Sequence, residues 1–125
     1  MIKANFYAHV RKDKIKTFEL VSGKACKVRV KDETFYFGIY PISENRREYF
    51  VIDLNTGLSF GKTIKGSYKK AVSDTMIKLN VLNKESWDYI IDKIKIEKTP
   101  ENSDLIYTLS DKKYFMEVDD DFRNI

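Results

Sequence analysis

Residues 27–37, KVRVKDETFYF, hold two alternating patterns around a polar centre. Apolar side chains at positions 28, 30, 35 and 37 alternate with polar or amphipathic ones. Such a period of two is typical of β-strands that bury one face. The stretch therefore predicts an antiparallel hairpin whose loop is Asp32-Glu33, with Val30 opposite Phe35 and Val28 opposite Phe37.

Three more hairpins are predicted outward from this one, because runs of β-branched and aromatic residues flank polar or glycine-containing turns. Ser22-Gly23-Lys24 interrupts the pattern before residue 27, which separates the first hairpin from the second. The further strand pairs are residues 5–10 with 15–21, 48–54 with 58–60, and 105–109 with 114–118.

Two amphipathic helices are predicted between the third and fourth hairpins. From Ser67, the expected N-cap, apolar residues at 68, 71, 72, 76 and 79 fall on one helical face. A second helix begins near Asn83 or Ser86, with Trp87 and three isoleucines at helical spacing as its core anchors. The sequence predicts one α+β domain over residues 1–125, an antiparallel sheet of hairpins packed against a two-helix hairpin.

Positive charge is concentrated at the front of the chain. Residues 1–31 carry nine Lys/Arg and two acids, residues 32–98 eleven and ten, and residues 99–125 three and seven. A basic front can attract phosphate and an acidic back can attract Arg or Lys, although solubility alone explains such a gradient equally well.

The sequence also excludes several classes of protein. Apolar runs such as residues 35–42 are far shorter than the roughly 20 residues of a membrane helix, and Met1-Ile2-Lys3 opens no signal-peptide pattern. We therefore expect a soluble cytoplasmic protein. The single Cys26 permits no internal disulfide, and with His9 it forms the one Cys/His dyad available. Cys26 lies two residues before Val28, so its side chain should point to the same apolar side of the strand and its thiol should be buried. A buried thiol is a poor nucleophile, and we therefore expect a protein that is not an enzyme.

Two other motifs partly match known ligand-binding sequences, one for phosphate and one for a metal ion. Residues 57–63 resemble a phosphate-binding loop, but three residues separate the glycines where such a loop needs four. The acidic cluster Glu117, Asp119, Asp120 and Asp121 has oxygen ligands, yet it lacks the glycine and terminal glutamate of a calcium loop. We expect no metal and no cofactor; the cluster is a solvated tail or a phosphate mimic that occupies Arg or Lys sites of a partner.

The predicted hairpin at residues 27–40 provides the main candidate binding surface. Its outer face combines Lys27, Arg29 and Lys31 with Tyr36 and Tyr40. Cations can neutralise phosphates and exposed aromatic rings can stack bases. The same pattern fits an ordinary solvent-facing sheet, or a sheet covered by the two helices.

A family resemblance comes from residues 49–61, YFVIDLNTGLSFG, which lead into Tyr68-Lys69-Lys70-Ala71. This strand–turn–strand–helix segment resembles an element of small phage and plasmid accessory proteins, and it is similar to the sheet–helix half of HicB-type antitoxins. No helix-turn-helix or ribbon-helix-helix extension follows, so the resemblance does not carry operator binding. The high content of Ile, Lys, Asn, Tyr and Phe is the bias of AT-rich genomes, which suits such mobile elements.

The resemblance implies an inhibitor or regulator encoded by a mobile element. We expect a non-enzymatic protein that binds a host protein or nucleoprotein complex that processes nucleic acid, and anti-CRISPR activity against a CRISPR–Cas nuclease is its most concrete form. The alternative is a stand-alone regulator that binds RNA or single-stranded DNA through the basic-aromatic face.

Overall fold

A computed structural model describes residues 1–42, 48–63 and 66–116. Five antiparallel strands follow one another across the sheet in chain order. The strands are β1 (Ile2–Lys12), β2 (Ile15–Val30), β3 (Glu33–Pro41), β4 (Tyr49–Asp53) and β5 (Ser59–Thr63). The helices are α1 (Tyr68–Asn80), α2 (Lys84–Ile96) and α3 (Ser103–Leu109), with 3₁₀ turns at Pro100–Asn102 and Lys112–Tyr114.

This architecture confirms the predicted α+β class, a sheet of hairpins packed against a two-helix hairpin. Both predicted helix starts are also correct, because Ser67 accepts a hydrogen bond from Lys70 N and Asn83 accepts one from Ser86 N. Within the described residues, no helix is long and apolar enough to cross a membrane.

The register of the central hairpin differs from the predicted one by two residues. Its loop is Lys31-Asp32, and Val28 lies opposite Phe35. Both loop residues have positive φ, 49° and 66°, as in the type I′ turn whose twist matches a β-hairpin. A shift of two leaves every side chain on its predicted side of the sheet, so only the cross-strand partners change.

The predicted interruption at Ser22-Gly23-Lys24 is wrong, because β2 runs unbroken from Ile15 to Val30. Gly23 is required for close approach of neighbouring backbone. A Cβ on Gly23 would lie 1.9 Å from Ile39 O on β3. The glycine therefore joins two strand segments and does not end a strand.

Both faces of the sheet carry a buried core over part of their area. On the helical face, α1 covers a core that includes Val28, Phe35 and Phe37, all at most 1% exposed. On the opposite face, which we call the C-terminal face, Leu105 and Leu109 of α3 pack onto a second core.

The predicted fourth hairpin is therefore wrong. Residues 105–109 are helical, and Leu105, Ile106 and Leu109 lie on the side of α3 that packs against the core of the C-terminal face. Phe115 forms only an isolated parallel bridge with Lys27. Residues 117 and 118 lie outside the described residues.

The second helix is less buried than expected. Trp87 and the isoleucines at 90, 91 and 94 pack against the core of the helical face, but α2 contains no fully buried residue. The Trp87 ring makes an edge contact with Phe35, with ring centroids 5.7 Å apart. The helix thus covers the core only partly.

Candidate nucleic-acid interface

The binding face predicted at residues 27–40 is not a solvent-facing surface. Lys27 is 2% exposed. Its ammonium group donates hydrogen bonds to Ser110 O at 2.8 Å and Asp111 O at 2.9 Å, and it lies 4.1 Å from the centroid of the Phe115 ring. A lysine held in this way is a structural residue that cannot reach a phosphate.

The other members of that predicted face are separated. Tyr40 is buried and Tyr36 is half-buried in the core of the C-terminal face. Arg29 is exposed beside Phe115, whereas Lys31 lies in the turn with its Nζ 4.8 Å from the Trp87 ring. The sheet is covered here, as one alternative allowed, but by the C-terminal segment and not by α1 and α2.

Two other sequence candidates have clear positions. Cys26 is buried in the apolar core as expected, and burial raises the pKa of its thiol to about 12. His9 pairs with Phe18, eight residues along β2 from Cys26, which is a separation of about 26 Å at roughly 3.3 Å per residue. The structure does not bring this dyad together. The acidic residues Glu117, Asp119, Asp120 and Asp121 lie outside the described residues.

A different basic-aromatic surface is present on β1 and β2. Directly opposed residues of two antiparallel strands point to the same side of the sheet. One side carries five such pairs, which together we call the basic strand-pair face: Lys3–Lys24, Asn5–Ser22, Tyr7–Leu20, His9–Phe18 and Arg11–Lys16.

The basic strand-pair face contains four cations and no acid. Both strands are described in full, and Glu19, their one acidic residue, points to the other side opposite Ala8. Glu19 there forms an ion pair with Lys12 at 3.5 Å. Lys3, Arg11 and Lys16 are exposed, and Lys24 is half-buried with its Nζ 4.8 Å from the Tyr68 ring. None of these four cations forms an ion pair with a described residue.

Three rings lie between the two pairs of cations. The centroid of Phe18 lies 4.6 Å from that of His9 and 5.5 Å from that of Tyr7, the latter at an interplanar angle of 25°. His9 is exposed, and Tyr7 and Phe18 are half-buried. From Lys3 to Arg11 the face extends about 27 Å, at roughly 3.4 Å per residue.

The turn between β4 and β5 packs against the rings of Phe18 and His9. Gly57 has φ +74°, and a Cβ there would lie 3.0 Å from Phe18 Cε1 and 3.2 Å from His9 Cδ2. The His9 backbone N–H donates to Gly57 O at 2.9 Å. Glycine is needed at this position both for the positive φ and for the space that the rings occupy.

The outer edge of β1 is held by Asn102, which is 2% exposed. The side-chain oxygen of Asn102 accepts from Tyr7 N at 2.8 Å, and its amide nitrogen donates to Tyr7 O at 2.9 Å and to Leu54 O at 3.1 Å. This one side chain therefore ties the strand that carries Tyr7 and His9 to the end of β4, which fixes the position of the face.

The signal for this surface was present in the sequence. The nine cations of residues 1–31 indicate that this part of the chain is basic. The alternation of Phe6, Ala8 and Val10 with Tyr7, His9 and Arg11 indicates which side chains of the strand face away from the apolar side. The alternation of cations and rings that predicts the face at residues 27–40 is therefore present on β1 as well. What the sequence did not show is which of the two basic faces the C-terminal segment covers.

The chain matches no family model, no curated protein and no solved structure.

Proposed function

We propose that this chain is a non-enzymatic nucleic-acid-binding protein that holds a single strand of RNA or DNA on the basic strand-pair face. The observation that carries the proposal is the presence of four cations and three adjacent rings, without an acid, on one side of two strands. Lys and Arg release counterions from phosphates, which supplies most of the affinity for nucleic acid. Exposed rings give each unpaired base a surface on which to stack.

The arrangement favours a single strand over a duplex. Rings in the middle of a sheet face can stack only bases that are not already paired and stacked in a helix. The cations lie at both ends of the ring cluster, so a strand that follows the face meets a positive charge before and after its stacked bases. Weaker binding of a duplex of the same sequence is therefore expected.

Fluorescence anisotropy with a labelled oligothymidylate tests the proposal. If all four cations contact phosphates, the log–log slope of affinity against salt is about −2.8, at about −0.7 per contact on a single strand. Replacing Arg11 and Lys16 by alanine reduces the slope by about 1.4. Phe18→Leu lowers affinity about tenfold, since stacking contributes roughly 1–3 kcal/mol per base.

The matched control removes the same charge elsewhere. Lys69 and Lys95 are exposed on α1 and α2, and their double alanine variant is expected to keep the wild-type slope. Equal losses in the two double variants would attribute binding to net charge alone. An absence of binding at about 50 mM salt, where counterion release is strongly favourable, would refute the proposed function.

The inhibitor encoded by a mobile element, which is the first expectation from the sequence and has anti-CRISPR activity as its concrete form, is the second function that we propose. Such an inhibitor would occupy guide RNA or displaced DNA of the host complex. Lys27 is buried, so reversing its charge would disturb folding and would not report on binding. The double variant Arg11→Glu with Lys16→Glu tests whether the basic strand-pair face binds the host complex. Loss of the co-purified nucleoprotein in that variant would show that the basic strand-pair face contacts the host complex. Retention of the nucleoprotein would point instead to the acidic residues Glu117, Asp119, Asp120 and Asp121.

A further inference from the structure

A cleft of about 660 Å³ lies between α2, α1 and the β4–β5 hairpin. Its walls are mainly apolar and include Phe60, Leu79, Leu82, Ile90 and Ile94. Pockets for small molecules commonly have this size and this apolar lining, with a few polar groups that fix orientation. One wall of the cleft is formed by α2, which contains no fully buried residue.

A buried carboxyl group is part of the lining. Asp53, at the end of β4, is 2% exposed and faces the helices with its cross-strand partner Phe37. Thr56 N–H donates to Asp53 Oδ2 at 2.9 Å. Oδ1 is buried and accepts no hydrogen bond from any described residue. Burial raises the pKa of Asp53, and hydrogen bonds from Thr56 and Asn55 offset part of this rise.

An unpartnered buried carboxylate oxygen destabilises the protein, because it has lost its water and gained no donor. A ligand that brings a hydroxyl group into the cleft would supply that donor. Oδ1 is closed to water, so the hydroxyl reaches it by displacing a neighbouring side chain. We place this movement in α2, which forms one wall of the cleft and contains no fully buried residue.

Positive charge lines the same cleft. Lys78 is exposed and forms no ion pair with a described residue. Lys93 also lines the cleft, with its Nζ 3.3 Å from Tyr89 Oη and 3.9 Å from Glu97. Of the two lysines, Lys78 is therefore the one free to pair with an anionic group of a ligand.

We propose that the cleft binds a small amphiphilic acid. Its apolar body packs against Leu79 and Ile90, its anionic end pairs with Lys78, and a hydroxyl group at its other end donates to Asp53 Oδ1. No residue of the basic strand-pair face lines the cleft, so ligand binding and nucleic-acid binding are tested by different variants, although the β4–β5 turn contacts both sites.

Titration of the ¹⁵N-labelled protein with ω-hydroxydecanoate tests the site, and decanoate, which lacks only the hydroxyl group, is the matched probe. Saturable shifts are expected at cleft residues such as Thr75, Leu79 and Ile90. We expect decanoate to bind about tenfold more weakly, because a hydrogen bond to a charged group is lost. Equal affinities for the two acids, shifts scattered outside the cleft, or no saturation at millimolar concentration would overturn the proposal.

Two variants assign the ends of the ligand. In Asp53→Asn the amide oxygen can still accept from Thr56 N–H, which turns the amide N–H group toward the ligand. That N–H can donate to a ligand oxygen, so ω-methoxydecanoate, whose ether oxygen accepts but has no hydrogen to donate, is expected to bind the variant more tightly than it binds the wild-type protein. Lys78→Ala is expected to weaken both acids, with Lys95→Ala as the unaffected control. If Asp53→Asn does not fold, the comparison of the two acids on the wild-type protein and on Lys78→Ala still decides the matter.

Discussion

Replacing Asn102 by alanine should loosen the strand that carries the basic strand-pair face. The side chain makes three hydrogen bonds to backbone groups of Tyr7 and Leu54, 2.8 to 3.1 Å long, and it is 2% exposed. Alanine removes all three at once. At about 1 kcal/mol for each net hydrogen bond, the free energy of unfolding falls by about 3 kcal/mol, and by more if the backbone groups stay buried without partners.

A loss of this size is measurable by chemical denaturation, since a domain of this kind has roughly 5–15 kcal/mol of stability. Asn5→Ala is the matched control. Asn5 is exposed and its side chain accepts one bond, from Ser22 Oγ at 2.7 Å, so a change within about 0.5 kcal/mol is expected. Amide exchange adds a local readout, because the Tyr7 amide proton loses its acceptor and should exchange faster in Asn102→Ala.

Equal denaturation midpoints for Asn102→Ala and Asn5→Ala would show that the three Asn102 hydrogen bonds do not stabilise the fold. Unchanged exchange at Tyr7 with a drop in stability would place the loss in another part of the structure. Asn102→Asp separates shape from hydrogen bonding. The carboxylate keeps the acceptor for Tyr7 N–H but places negative charge against two carbonyl oxygens, so it should be at least as damaging as alanine.

Two further predictions concern the core of the helical face. Cys26 should react with iodoacetamide at neutral pH only as fast as the protein unfolds, and rapid labelling of the folded protein would contradict its burial. Burial raises the pKa of the thiol from 9.0 to about 12, so the free energy of unfolding should fall as the pH rises through that interval. This pH dependence should be absent in Cys26→Ala. Trp87→Ala should lower the free energy of unfolding by about 2 kcal/mol, less than the roughly 3–5 kcal/mol lost with a fully buried aromatic, because α2 is only partly buried. A denaturation midpoint equal to that of the wild-type protein would show that Trp87 does not belong to the core.

Much of the fold was predictable because its local signals agree with one another. Over residues 1–96, alternation, turn composition and helical spacing identify the observed strands and helices except at Ser22-Gly23-Lys24, where the turn composition predicts a break that β2 does not have. The caps Ser67 and Asn83 form as expected. The hairpin register was not predictable from alternation, which is unchanged by a shift of two residues. The positive φ values at Lys31 and Asp32 carry no strong signal, because neither residue is the glycine or asparagine that usually marks such a turn.

The C-terminal segment was mispredicted for a different reason. Over residues 105–109, a short apolar run suits a strand and a helix equally, and period alone cannot separate them over so few residues. The decision comes from tertiary packing. Lys27 is satisfied by the carbonyls of Ser110 and Asp111, and Leu109 is fully buried in the core of the C-terminal face.

That packing also explains why the basic face at residues 27–40 is covered and the basic strand-pair face is exposed. Lys27 has a ring and two carbonyl oxygens as partners, so its charge is compensated within the chain. Arg11 and Lys16 lie opposite each other at the exposed end of β1 and β2, where like charges on directly opposed residues destabilise a strand pair. Binding of a phosphate between them would remove this repulsion. If the proposed function is right, the bound strand should therefore stabilise this end of the β1–β2 pair, which slower exchange of the backbone amides around Arg11 and Lys16 would report.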